Sequence, residues 1–81
     1  MGNNGRAIRQ FVKERNAALL SLDKEKIQRY CKKYGIPIPQ NEKAFWAGVH
    51  KAILHINAAT DEQKQNSVEW LLQNGFSPDI H

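Results

Sequence analysis

Apolar side chains recur at helical intervals in four stretches of this chain, and capping residues separate them. Ile8, Phe11, Val12, Leu19 and Leu22 share one side of a first predicted helix over about residues 5–20. Asp23 is a good N-cap for a second, over about 24–34, with Leu22 and Ile27 at the N′ and N4 positions of a hydrophobic staple. Ile27, Tyr30, Cys31 and Tyr34 follow at i, i+3, i+4 and i+7. Gly35 then stops the helix as a C′ residue, Ile36 is placed to fold back on Cys31, and Pro37 bars continuation.

Ile36-Pro37-Ile38-Pro39 cannot be helical, because each proline pushes its predecessor into an extended conformation. A stiff connector with its isoleucines on the core is expected. Asn41 caps a third predicted helix over about 42–56, with Phe45, Val49, Ala52, Ile53 and Ile56 on one face and Trp46 at its edge. Thr60-Asp61-Glu62-Gln63 is a capping box, with acids in the first turn where the helix dipole favours them. The fourth helix, about 61–74, carries Val68, Leu71 and Leu72 and ends at Gly75, beyond which Phe76 can meet Leu71. Its first half has no large apolar residue between Asp61 and Ser67, so its core contacts are expected in the last two turns. No alternating run predicts a strand. The expected fold is all-α: one small domain over residues 1–81, a compact bundle of four short helices with an extended Ile-Pro-Ile-Pro connector, residues 1–4 and 78–81 being flexible.

Composition narrows the setting. At 81 residues the chain can bury about 60–65% of its unfolded surface, enough for one modest core. The lone Cys31 precludes an internal disulfide and suits a reducing compartment. No apolar run approaches the roughly 18 residues of a membrane span. The opening Met1-Gly2-Asn3-Asn4-Gly5-Arg6 has no signal-like apolar stretch, and Arg6 stands where a myristoylation signal wants Ser or Thr. A soluble, cytoplasmic protein without a membrane partner is expected.

Charge is divided unevenly. Residues 1–35 hold nine Lys and Arg against three acids, a net +6, whereas residues 36–81 hold three against five, a net −2. On a helical wheel Arg6, Arg9, Lys13 and Gln10 cluster opposite the apolar stripe of the first helix. Lys26, Arg29 and Lys33 do the same in the second. Together the two faces could contact phosphates, each contact releasing a counterion. The bland alternative is a solvated outer face. The six-residue turn with two prolines before the third helix is too long for a helix-turn-helix, and that helix offers only Lys43 and Lys51.

Arg15 falls in the middle of the first apolar stripe, where an unpaired charge costs several kcal/mol. It is expected to form a buried polar contact, with Glu42 or Glu69 as the acids placed to reach it, or else to anchor a carboxylate at an interface. His50 and His55 are five apart and diverge around a helix, so they cannot share a metal as an i, i+4 pair would. Cys31 reads as a small buried hydrophobe, and a Cys31–His50 nucleophile has no local signature. No metal, cofactor or catalytic site is expected. Trp70 lies away from the Val68/Leu71/Leu72 stripe, and Leu20 and Leu54 are likewise off-stripe, so the three are candidates for an interaction surface. The resulting reading is a small non-enzymatic helical domain that binds another protein or itself as a homo-oligomer. The alternative is nucleic-acid binding through Arg6, Arg9, Lys13, Lys26, Arg29 and Lys33.

Overall fold

Three of the four helices begin at the caps the sequence offers. A computed structural model describes the backbone of residues 2–78 and the side chains of residues 8–78. It contains α1 (Gly2–Ser21), α2 (Lys24–Lys33), α3 (Glu42–Ile53) and α4 (Asp61–Gln73), with no strand among the described residues. Asp23 accepts from the Glu25 and Lys26 amides, and Asn41 accepts from Ala44. At Thr60 the capping box closes in both directions, Gln63 N–H donating to Thr60 Oγ1 at 3.1 Å and Thr60 N–H to Gln63 Oε1 at 2.8 Å.

The two glycine stops form the same motif. Gly35 and Gly75 take positive φ (65° and 82°), and the following amides reach back five residues: Ile36 N–H to Cys31 O and Phe76 N–H to Leu71 O, both 2.8 Å. The α1–α2 turn has no glycine. Leu22 itself adopts φ 53°, a conformation that costs a leucine about 1–2 kcal/mol. Ser21 braces the turn, donating to Ala18 O and accepting from Asp23 N–H.

Two helix limits differ from expectation. Helix α1 starts at Gly2, inside the 1–4 stretch expected to be flexible. Helix α3 ends at Ile53 rather than near 56. Nothing in His55-Ile56-Asn57 is a stop signal, yet the amides of His55, Ile56 and Ala59 donate to the carbonyls three residues back, of Ala52, Ile53 and Ile56, and wind the chain into tighter turns that still bury Ile56 and Ala59. Residues 36–39 form no regular element, with Ile36 and Ile38 half-buried on the core and both prolines exposed. The expectation for the chain end falls on residues 79–81, including His81, outside the described residues.

Helix α3 is the middle of the molecule, packing on α1 with one face and on α4 with the other, while α1 also packs on α2. The first core gathers Leu19, Ile27, Tyr30, Phe45, Val49, Ile53 and Ile56. A second, smaller core joins Ala47, Leu54 and Leu71, with Val68, Trp70 and Phe76 against it. Four members of predicted stripes lie outside both: Ile8, Val12, Leu72 and Leu22, the last exposed at the α1–α2 turn rather than closing the expected staple. Ile8 is 65% exposed, on an α1 that at about 30 Å outruns the roughly 15 Å of α2. Leu72 is 59% exposed because α4 is rotated to bring Ser67 and Leu71 inward.

Candidate functional site: an apolar cleft beside Arg15

Helices α1 and α2 meet through an aromatic trio. Phe11, Tyr30 and Tyr34 pack with ring centroids 4.8–5.7 Å apart, fixing the outer end of the helix pair. Because the proline connector cannot coil, it spans from α2 to α3 without filling the space behind it. The result is an open-sided cleft of about 410 Å³. Its walls are Phe11, Arg15 and Leu19 of α1, Ile27, Tyr30 and Cys31 of α2, Ile36–Pro39 of the connector, and Phe45, Gly48 and Val49 of α3. Gly48 is one reason the space is open, for a Cβ added there would meet nothing within 4 Å. Volume and apolar walls suit a ligand of a few residues.

Arg15 is half-buried in that wall, and the expected ion pair is absent. Glu42 is instead bonded to Lys24 at 3.0 Å, and Glu69 is exposed. The Arg15 guanidinium donates to its own neighbour, Asn16 Oδ1, from Nε at 3.2 Å and from one Nη at 3.1 Å. No carboxylate pairs with it among the described residues. The buried Tyr30 hydroxyl has no hydrogen-bond partner among the described residues. Neither residue pattern nor spacing foretold the cleft, since it depends on how α2 and α3 diverge; the only sequence signal was a cation in an apolar stripe.

The basic residues come together in part. Lys26, Arg29 and Lys33 line a second groove of about 350 Å³ between α1 and α2, on the other side of Tyr30. Glu14 lies among them. It accepts from Lys33 Nζ at 2.7 Å, from the Tyr34 hydroxyl and from Gln10, and these bonds hold its carboxyl down to about 2, while raising the pKa of Lys33 and of Tyr34. Arg29 is tied to Glu25 at 2.6 Å. Arg9 and Lys13 are exposed on α1, and the Arg6 side chain lies outside the described residues.

The off-stripe apolar residues are not gathered into one surface. Leu54 is buried in the second core and Leu20 is half-buried against the first. Trp70 is half-buried and stacks on His50 at 4.6 Å and on Phe76 at 6.1 Å. His50 is buried and hydrogen-bonded through Nδ1 to Ser67 Oγ at 2.9 Å, and burial pushes its pKa down. Cys31 packs on the first core and lines the cleft, its thiol pKa raised by burial, whereas His50 is bonded to Ser67 of α4 and is not among the residues lining the cleft. Among the described residues no three His, Cys, Asp or Glu cluster as a metal site would need, and no helix is long and apolar enough to cross a membrane.

Comparison with known proteins gives no match to a family model, to a curated protein or to a solved structure.

Proposed function

We propose that this chain is a helical interaction module that binds an apolar segment of another protein in the cleft between α1, the connector and α3. The observation that carries the reading is an open apolar cleft whose wall holds an arginine with no acid partner among the described residues. Charge complementarity supports a partner rather than a second copy: the α1/α2 side carries most of a net +6 and repels its own kind, but attracts an acidic or carboxylate-bearing segment. A binding role rather than a catalytic one is supported by the separation of Cys31 from His50, which leaves the cleft without a base for its thiol. Trp70 and Leu54 spend their apolar surface within the second core, which moves the proposed site away from them.

Selection from a random peptide library on the natural chain and on Gly48→Leu tests this. Peptides enriched on the natural chain should be apolar, should carry carboxylates and should lose binding to Gly48→Leu, which fills the cleft. Peptides that bind both chains equally would place the site elsewhere. Light scattering during chromatography should report a monomer for the free chain.

One observation favours a second reading, nucleic-acid binding in the α1/α2 groove: Lys26, Arg29 and Lys33 line a single groove rather than scattering. On that reading log K for a DNA duplex falls with log salt, and reversing Arg9 and Arg29 flattens the slope. An unchanged slope removes both residues from the interface.

A further inference from the structure

Helix α4 stops on an asparagine followed by a glycine, Asn74-Gly75, a pairing with chemistry of its own. Asparagine is a thermolabile residue, and it is most so before glycine, whose nitrogen no Cβ shields. In that reaction the Gly75 nitrogen attacks Asn74 Cγ and loses its proton to solvent, and the side-chain nitrogen leaves as ammonia. Water then opens the cyclic imide at either carbonyl, leaving aspartate or isoaspartate at position 74. Water is consumed, ammonia is released, and nothing is oxidised or reduced. The folded cap blocks each part of that path. Ring closure needs the Gly75 nitrogen eclipsed with Asn74 Cβ, but with ψ at 12° it nearly eclipses the Asn74 nitrogen instead. Gly75 N–H donates to Leu72 O at 3.2 Å, and Asn74 Nδ2 donates to Trp70 O at 2.8 Å. Phe76 holds this arrangement in place, returning its amide to Leu71 O at 2.8 Å and stacking its ring on Trp70.

We propose that Asn74 is a self-modification site gated by the docking of Phe76, and that its conversion loosens the end of α4 irreversibly. The site stands apart from the cleft and does not rest on a binding role there. Gly75 is exposed and Asn74 and Phe76 are half-buried, so water is at hand and the fold alone withholds the reaction. The product does not fit the cap it came from. An aspartate has no donor for Trp70 O and turns an acceptor toward it. It also puts a negative charge at a helix C-terminus, where the backbone dipole is already negative. Isoaspartate adds a methylene to the main chain, and the positive φ of Gly75 (82°) then no longer aims the Phe76 amide at Leu71. Either product frees Phe76 from Trp70, and the α3 face beneath, with Ala47 and Leu54, loses part of its cover. Loosening favours reaction and reaction favours loosening, so the change runs one way.

The test is a rate comparison on the full chain, held in mildly alkaline buffer with and without denaturant, with conversion read by mass and placed by peptide mapping. Mapping separates Asn74 from Asn4, the chain's other Asn-Gly step. Asn74 should convert readily in the unfolded chain and about tenfold or more slowly in the folded one, since reaction there waits on local opening. Phe76→Ala should bring the folded rate most of the way to the unfolded rate, while the amide chemical shifts of α1 and α2 stay in place. If that variant fails to fold, denaturant below the unfolding transition should speed the natural chain in the same way. Asn74→Asp, which installs one product directly, should lower the denaturation midpoint and open residues 73–76 to protease. Equal rates at Asn74 in the folded and unfolded chain would overturn the gate, and no conversion at Asn74 in denaturant would overturn the site. An Asn74→Asp chain as stable as the natural one would overturn the loosening.

Discussion

Toward α4, helix α3 presents Ala47, His50 and Leu54, and each of them is covered: the first and last by Leu71 and its neighbours, the histidine by Ser67 and the Trp70 ring. Toward α1 and α2 it presents Phe45, Gly48 and Val49, and there the packing stops short. Gly48 faces open space, and among the described residues Arg15 has no acid and the Tyr30 hydroxyl no acceptor. Size does not separate the two sides, because the larger core lies on the unfinished one. What separates them is polar satisfaction. An interface that serves stability alone closes its hydrogen bonds, while one that must still accept something leaves donors unspent.

The largest expected effect lies on the finished side. Leu71 is fully buried at the centre of the second core, and Leu71→Ala should cost about 2–5 kcal/mol in a denaturant melt, with the cavity unable to collapse between Ala47 and Leu54. A loss below 1 kcal/mol would mean that α4 is only loosely held.

The same interface should respond to pH. Burial alone drives the pKa of His50 below its ordinary value, so the unfolded chain takes up the proton first as pH falls. The stability it contributes is present above the unfolded value, near 6.5, and is lost as pH drops from there toward the depressed folded value. Glu14, held at about 2 by Lys33, Tyr34 and Gln10, adds a separate loss between its ordinary value of 4.5 and that point. His50→Gln should flatten the upper part of the stability–pH curve, and Glu14→Gln the lower. A curve unchanged by His50→Gln would show that Ser67 and Trp70 do not exclude water from the ring.

Local signals were the legible ones. Asp23, Asn41, Thr60, Gly35 and Gly75 each act within six residues, so their roles follow from the chain itself, and all five fulfil them. Helix limits without such a signal were harder: α3 ends at Ile53 because the chain is wound onto the core, not because a residue stops it. Periodicity found the main stripe of α3 but not its second face, since Ala47 is small and His50 is polar. Both become core residues only because α4 brings a serine and an indole to meet them. Trp70 was misplaced for the same reason. Its exposure depends on the rotation of α4, which is set across the interface rather than along the helix. The cleft is a property of three segments that diverge, and a one-dimensional pattern carries no sign of divergence. Only Arg15, a charge in an apolar stripe, pointed to it, and the expectation it raised first was a buried polar contact with Glu42 or Glu69, with a carboxylate anchor at an interface as the alternative.

On the unfinished side the effects should be smaller and of opposite sign. Tyr30→Phe removes a hydroxyl that is buried without a partner and keeps the ring against Phe11 and Tyr34, so it should stabilise the free chain by about 1 kcal/mol. A loss of stability would instead reveal that the hydroxyl is satisfied in solution.

Gly48→Ala should give the smallest gain and the cleanest reading of the cleft. Glycine in a helix interior costs about 0.5–1 kcal/mol relative to alanine through backbone entropy. Gly48 does not have a positive φ, unlike Gly35 and Gly75, and an added Cβ meets nothing within 4 Å. The substitution therefore gains propensity without strain, and the gain should appear in full as a raised denaturation midpoint. Stability alone would then favour alanine at 48, and larger residues that fill the cleft. If binding falls in step from alanine to leucine while stability does not, the glycine is kept for the space it leaves. If stability falls instead, α1 and α3 lie closer in solution than an open cleft allows, and the contrast between the two sides of α3 disappears.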